Sequence, residues 1–202
     1  GIFVISAIFA VVDSMEDDLM ESFSMLDDDV LFVSKWPWSA SDDYPWWKYI
    51  QRREPTLKDS DELATRLTQA AEVTFAMEAM FDLEAGDNSF PGVSVAAVSP
   101  TYPQVVSLDI GQGRFFNDSE SASGRGVAII GFDVAMNLFG TEDVLGKKFK
   151  VAGQKLEVIG AFSKQGASVV SNGFDEIVVV PATFAPKIFD TRNIEGNTIM
   201  VK

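Results

Sequence analysis

The segment from Val127 to Gly160 constrains the fold of this chain more than any other part of it. Its first four residues are apolar and predict a buried strand, and a turn and a short helix should follow, ending at Gly140. Lys147–Val151 and Lys155–Phe162 then predict a strand pair joined through Ala152-Gly153-Gln154. No catalytic group lies on the segment, so we interpret it as a scaffold.

The composition excludes several classes of protein. With 202 residues and 47% hydrophobic residues, the chain can bury the core of one large domain or two small ones. Its net charge of −14 argues against nucleic acid as a partner and against adhesion to an anionic membrane surface. The chain has no cysteine and no histidine, which excludes disulfides and thiolate or imidazole chemistry. We therefore expect no cofactor and no metal.

The glycine-rich and acidic motifs do not form a recognisable nucleotide or catalytic site. Gly124-Arg125-Gly126 precedes a strand instead of following one, which is the wrong order for a dinucleotide site. Gly140 and Gly146 lie six apart before Lys147, but no Ser or Thr completes a P-loop. Acidic clusters such as Asp27–Asp29 are typical of solvated faces. These patterns predict a non-enzymatic chain.

The N-terminal segment predicts an amphipathic helix. Gly1–Val12 is almost wholly apolar but too short to cross a bilayer, which takes roughly 20 residues. From Ile8 to Leu26 the apolar positions recur every three or four residues, opposite an acidic face. Asp27–Asp29 should end this helix, because carboxylates oppose the dipole at a helix C-terminus. The segment is either a buried N-terminal helix or the outer end of a membrane helix that continues as a stalk.

All four tryptophans lie between positions 36 and 47, in a proline-punctuated aromatic segment. They are Trp36, Trp38, Trp46 and Trp47. Three interpretations remain open: a small apolar core covering the sheet, a docking surface for a partner protein, or anchoring near lipid headgroups. These four residues are our candidate partner contacts.

Strands are expected in the remainder of the chain wherever apolar alternation is bounded by turn residues. They are predicted at Val30–Val33, Glu72–Met77, Gly92–Val98, Glu176–Val180 and Asn197–Lys202. The second of these should continue through Phe81–Leu83 after a bend, with a turn at Gly86–Ser89.

Helices are expected at three further places. One should lie near Trp46–Arg52, and Pro181 should begin another. A third helix should be capped by Asp59 or Ser60, and its buried side should carry Leu63, Leu67 and Ala70.

The segment from Val127 to Gly160 resembles the extracytoplasmic core domain of MacB-type, FtsX-like ABC transporter permeases. Members of that family carry a similar series of three motifs. The first is V-A followed by two apolar residues and G, and the second is L-F-G. The third is D followed by two apolar residues and G-K, and a strand pair comes after it. Gly113-Arg114-Phe115-Phe116 and the run from Asp175 to Pro181 also match family patterns. The resemblance covers most of the chain, and its specific part lies between Ser99 and Pro181.

The resemblance implies an α+β fold made of two subdomains and a stalk. Residues 1–26 would be the end of the first transmembrane helix and its stalk. Residues 27–100 and 174–202 would form a discontinuous, porter-like α/β subdomain. Residues 101–173 would form an inserted, mixed β-rich subdomain.

The resemblance also implies a function in transport. The chain would be the periplasmic domain of a bacterial inner-membrane permease that couples cytoplasmic ATP hydrolysis to export or efflux. Its partners would be a second copy in the intact transporter, an ATPase domain or subunit, and a periplasmic adaptor protein. Two alternatives remain: a lipoprotein-releasing permease domain that docks a lipoprotein or its chaperone, and an autonomous extracytoplasmic ligand-binding or signalling domain.

Overall fold

The computed structural model describes residues 30–36, 46–67, 72–165, 174–189 and 196–202, except the side chains of Trp46 and Lys48. The predicted stalk helix of residues 1–26 lies outside these residues, as do Ala70 and most of the loop predicted after Ser163. In the described part, strands dominate and helices are short. The expected mixture of helices and strands is thus confirmed, while the stalk stays a prediction.

The described strands form one mixed sheet of nine strands. The order across the sheet is β1-β9-β2-β3-β8-β5-β7-β4, and β6 pairs with both β2 and β7. Neighbouring strands are antiparallel except for the pairs β3–β8 and β5–β7. The strands are β1 Leu31–Ser34, β2 Val73–Ala85, β3 Asn88–Val98, β4 Ile110–Gly113, β5 Val127–Ile130, β6 Lys148–Val151, β7 Gln154–Phe162, β8 Ile177–Pro181 and β9 Thr198–Val201.

Five α-helices and one 3₁₀-helix connect the described strands. They are α1 Trp46–Tyr49, α2 Leu57–Arg66, α3 Tyr102–Val105, α4 Asp118–Ala122, α5 Phe132–Phe139 and the 3₁₀-helix Ala182–Lys187. The 3₁₀-helix begins directly after Pro181, as the sequence predicts. The helix expected near Trp46–Arg52 is present but ends at Tyr49.

The long hairpin of β2 and β3 forms the middle of the sheet. The sequence predicts separate strand pieces on either side of a bend, whereas β2 is one strand of 13 residues. The pairing with β3 shifts register between Phe81 and Leu83, whereas the sequence places the bend before Phe81. Gly86, at a φ of +61°, supports the turn between the two strands.

The segment from Val127 to Gly160 has the predicted structure. It forms β5, α5 and the β6–β7 hairpin, and Gly140 ends α5 at a φ of +66°. Gly131 is the N-cap residue of α5. Next to it, the backbone N–H of Asp133 donates a hydrogen bond of 2.9 Å to the carbonyl oxygen of Asp175. A β-carbon at Gly131 would collide with the backbone oxygens of Phe174 and Asp175, so this close approach requires glycine.

Both faces of the sheet are buried. Successive residues of β3 alternate between them: Val95 and Ala97 pack with Leu138 of α5 on one face. Val98 packs with Phe116 on the other. The sheet is therefore a central layer between two apolar clusters.

Helix α2 starts earlier than the sequence suggests. Asp59 and Ser60 were expected as caps, but Thr56 caps the helix and its side chain accepts the N–H of Asp59. The Asp59 side chain in turn accepts the N–H of Thr56, which completes a capping box. Leu63 packs on the core as predicted, whereas Leu67 is 38% exposed because the helix ends at the preceding residue.

The predicted subdomains map onto contiguous parts of one sheet. Residues 27–100 and 174–202 contribute β1, β9, β2, β3 and β8, which are the first five strands in the order. Residues 101–173 contribute β5, β7 and β4, as well as β6, which bonds back to β2 through Leu83 and Val151. The division into two units stays a prediction.

Candidate functional site

A cleft lies beside β1, next to the aromatic segment in the sequence. It has a volume of about 380 Å³ and is lined by the end of β1, residues 52–55, one side of α2 and Ile199 of β9. We call it the β1 cleft. Its lining comes from both flanks of the tryptophan-rich segment, so the fold brings together residues that are separate in sequence.

The floor of the β1 cleft is apolar. Val33 lies opposite Ile199 in the antiparallel register of β1 and β9, and Leu63 of α2 also lines the cleft. Leu31, two residues before Val33, is 70% exposed, and Val33 itself is 45% exposed. The outer strand of the sheet therefore leaves apolar side chains accessible in the described part of the molecule.

Charged side chains form the walls of the cleft. Arg53 donates two hydrogen bonds of 2.7 Å to the carboxylate of Asp59, and Arg66 lies 2.5 Å from Glu62. Hydrogen bonds from Arg53, and then from Thr56, hold the pKa of Asp59 far below its usual value. Asp59 is thus ionised and neutralises Arg53 at neutral pH.

A buried ion pair lies at the inner end of the cleft. The Nζ of Lys35 is 3.6 Å from an Oε of Glu54, and the two side chains are 10% and 17% exposed. That separation is too long for a hydrogen bond, and both carboxylate oxygens of Glu54 are buried without a hydrogen-bond donor. Among the described residues, Lys35 also donates no hydrogen bond. Glu54 therefore retains unused acceptors inside the protein.

Arg52 is the remaining cation of the cleft. Its guanidinium carbon lies 4.3 Å from the centre of the Tyr49 ring, a cation–π arrangement. In the part of the chain that the structure describes, Arg52 forms no ion pair.

The structure describes the side chains of two of the four tryptophans predicted as partner contacts, and neither lines the cleft. Trp36 follows Lys35, whose Nζ lies 5.3 Å from the centre of its ring, and Trp36 is partly buried. Trp47 of α1 is 58% exposed. Trp38 and the side chain of Trp46 lie outside the described residues. A role in partner contact stays a prediction for all four.

Sequence reasoning missed the charged residues of the cleft. Lys35 and Glu54 are 19 positions apart, on either side of the aromatic segment, so no local pattern connects them. The run Arg52-Arg53-Glu54-Pro55, next to the tryptophans in an acidic chain, was the signal that could have identified them.

A second charge cluster surrounds Glu120, a buried residue of α4. Arg114 donates hydrogen bonds of 2.7 and 2.8 Å to its two oxygens, and Arg125 donates one of 3.3 Å. The backbone N–H of Asn117 adds another of 3.1 Å. The hydrogen bonds from Arg114 contribute most to lowering the pKa of Glu120 to about 2. An anion held this firmly fixes the loop between β4 and β5 and is unsuited to proton transfer at neutral pH.

The described residues contain neither a group of acidic side chains arranged to hold a metal ion nor a helix long and apolar enough to cross a bilayer. The charged clusters that they do contain are ion pairs and helix caps.

The fold matches that of extracytoplasmic domains of ABC transporters. The periplasmic region of MacB from Actinobacillus actinomycetemcomitans superposes with a TM-score of 0.69 at 16% identity, over 90% of this chain and 78% of that one. The extracellular domain of the transporter YknZ from Gram-positive bacteria gives 0.62 at 23% identity, over 73% and 72% of the two chains. These likenesses show that the chain shares the fold of this class of domain.

The sequence identifies the family within that class. The model of the MacB-like periplasmic core domain matches residues 1–202, so the chain belongs to this family. It is thus an extracytoplasmic domain of an ABC transporter permease, which confirms the resemblance found in the sequence.

Two curated relatives illustrate how much of a transporter the chain represents. The macrolide export ATP-binding/permease protein MacB of Marinobacter nauticus is 24% identical over all 202 residues, which cover 30% of its length. The pyoverdine export ATP-binding/permease protein PvdT of Pseudomonas aeruginosa is 26% identical over 95 residues, 46% of this chain and 14% of its own length. The chain therefore spans less than a third of these relatives.

Proposed function

We propose that this chain is the periplasmic part of an export or efflux transporter and couples cytoplasmic ATP hydrolysis to substrate movement outside the membrane. The observation that carries the proposal is the match of the MacB-like periplasmic core domain to every residue of the chain. The names of the relatives, which combine ATP binding, permease and export, support it.

In this proposal the domain moves and binds but does not catalyse. An ATPase domain or subunit supplies the energy, and the predicted stalk of residues 1–26 transmits its motion. Two copies pair in the intact transporter, and a periplasmic adaptor protein receives the motion. The division at residues 27–100 with 174–202, and 101–173, describes the two units of the domain.

These 202 residues contain no cysteine, so labelling at one site of the parent transporter requires only that any cysteines outside them be replaced. Met80 is 70% exposed, so Met80→Cys accepts a spin label without disturbing the core. If two copies pair and follow the ATPase, pulsed electron resonance will detect one inter-label distance that differs between ATP-bound and nucleotide-free states. If no inter-label distance is detected, the labelled domain has no partner copy, and dimerisation is contradicted.

A distance that does not respond to nucleotide, in a transporter that hydrolyses ATP, would contradict the coupling. Affinity capture with the same parent protein separates efflux from lipoprotein release. Recovery of a periplasmic adaptor supports the proposal, whereas recovery of a lipoprotein chaperone favours the alternative.

A further inference from the structure

One exposed face of the sheet carries a row of acidic side chains on β2. Glu78, Asp82 and Glu84 are all exposed and lie an even number of positions apart, so they share one side of the strand. Glu84 stands opposite Lys150 of β6 in the antiparallel register, and its carboxylate lies 4.0 Å from the Nζ of Lys150. The outer side of β6 therefore continues the same face.

The β6–β7 hairpin adds a row of basic side chains to this face. Lys148 and Lys150 are exposed on alternate positions of β6, and the exposed Lys155 of β7 lies opposite Lys150. Four of the chain's 16 basic residues fall within positions 147–155, which contain no acid. We call the acidic row of β2 and the basic row of the hairpin together the charged face.

The basic row is not neutralised within one copy of the chain. Lys150 and Lys155 stand directly opposite each other, an arrangement of like charges that destabilises a strand pair. Among the described residues, the contact of Lys150 with Glu84 is the one ion pair of the charged face, and both side chains are about half exposed. Lys148 and Lys155 form none. The row therefore keeps a positive charge in a chain whose net charge is −14.

We infer that a second copy of the chain docks on the charged face, so that the basic row of each copy contacts the acidic row of the other. A two-fold axis parallel to the rows places each row over its opposite, which makes the face self-complementary. An unrelated acidic protein would match the basic row but would be repelled by the acidic row, whereas a second copy matches both. The inference rests on the proposed pairing of two copies and names the surface that they use.

The size of the charged face indicates where the contact forms. It extends roughly 20 Å along the strands and about 14 Å across them, or about 300 Å² per copy. A stable interface takes about 800 Å² per partner, and ion pairs between exposed groups add little each. The contact is therefore too small to hold two isolated domains together, and it forms where the transporter already keeps the two copies side by side.

Zero-length cross-linking tests the contact in the full-length parent transporter, assembled from copies with natural and with heavy nitrogen. A carbodiimide joins a lysine to a carboxylate that touches it, and peptides of mixed isotope identify links between two copies. We expect such links from Lys148 or Lys155 to Glu78 or Asp82. Raising the salt from about 0.05 M to about 0.5 M should reduce them at least about threefold, because the charges are exposed.

Variants assign the contact to the charged face. Lys155→Glu should reduce the intercopy links of the remaining lysines at least about threefold, and it should not lower the Tm, because it relieves the repulsion of Lys150. Lys58→Glu is the matched control: Lys58 is exposed on α2, outside the face, and its reversal changes the net charge equally. Glu78→Gln removes one acidic charge but still accepts the hydroxyl of Ser94, and it should also reduce the links.

Three results would overturn the inference. The first is the absence of intercopy links while Lys150 and Glu84 become joined within one copy. The second is an equal effect of Lys155→Glu and Lys58→Glu, and the third is linkage of the basic row only to a different protein. The spin label at Met80 tests pairing separately, since a neutral label leaves the charges of the face in place. An inter-label distance without intercopy links would mean that the copies pair through another surface, and the proposed function would stand.

Discussion

Replacing Glu120 with glutamine removes the charge at the centre of the α4 cluster while keeping the shape of the side chain. In the native protein this carboxylate accepts two hydrogen bonds from Arg114 and one from Arg125. Charge-assisted hydrogen bonds typically contribute about 1.5–3 kcal/mol. Because the two arginine side chains are 53% and 56% exposed, solvent screening reduces that value, and we expect Glu120→Gln to cost about 1–2 kcal/mol.

Thermal unfolding followed by circular dichroism gives the required measurement. For a chain of this size, 1 kcal/mol corresponds to about 2–4 °C, so the Tm should fall by roughly 2–8 °C at pH 7. Glu142→Gln is the control, because Glu142 is exposed and forms no ion pair among the described residues. It should leave the Tm within about 1 °C.

The pH dependence of this loss of stability tests whether the charge of Glu120 causes it. The pKa of Glu120 is about 2 in the folded protein, against 4.5 for an unperturbed glutamate. A lowered pKa means that the carboxylate contributes its full stability above about pH 4.5 and loses it as the pH falls toward 2. The difference in Tm between wild type and Glu120→Gln should therefore narrow as the pH falls from about 4.5 toward 2. The contribution of Asp59 to stability also falls as the pH falls, because its pKa is lowered too. It falls equally in wild type and in Glu120→Gln, so it does not change the difference between them.

Two results would refute this reasoning. A Glu120→Gln protein as stable as wild type at pH 7 would mean that the hydrogen bonds add nothing beyond their desolvation cost. A gap that stays constant from pH 6 to pH 3 would mean that the loss comes from packing and not from the charge.

Three further tests of the fold use urea unfolding, two of them with a control substitution. Gly131→Ala should cost more than about 3 kcal/mol through its collision with backbone oxygens, whereas Gly140→Ala, with open space around it, should cost about 1 kcal/mol; equal costs would contradict the close approach. Thr56→Ala should cost about 1 kcal/mol by removing the α2 cap, and no loss would contradict the capping box. Leu83→Ala should cost about 2–5 kcal/mol at a fully buried position, whereas Met80→Ala should be nearly neutral.

Local chemistry accounts for the parts of the fold that the sequence predicts well. The apolar run at Val127, the helix stop at Gly140 and the turn at Gly86 each depend on a few consecutive residues. Such signals survive in the structure because no distant contact competes with them. The start of α2 shows the limit, since Thr56, Asp59 and Ser60 are all acceptable caps and only the folded geometry distinguishes them.

Long-range pairing explains what sequence reasoning missed. Strand β8 inserts between β3 and β5, which are separated from it by many residues, and no pattern within β8 specifies those neighbours. The β1 cleft arises in the same way, because Lys35 meets Glu54 only after β1 and the segment before α2 have packed together. Sequence alone could identify the aromatic segment as a candidate contact, but not the charges beside it.

The junction between the two predicted units limits how the domain can move. Strand β8 of one unit pairs with β5 of the other, and Ile129, Ile130, Val178 and Val179 at this junction are at most 1% exposed. Exposing four such side chains would cost roughly 6–12 kcal/mol. That is comparable with the whole free energy of unfolding of an ordinary domain, about 5–15 kcal/mol. Separating the two predicted units along this junction would therefore cost about as much as unfolding the domain.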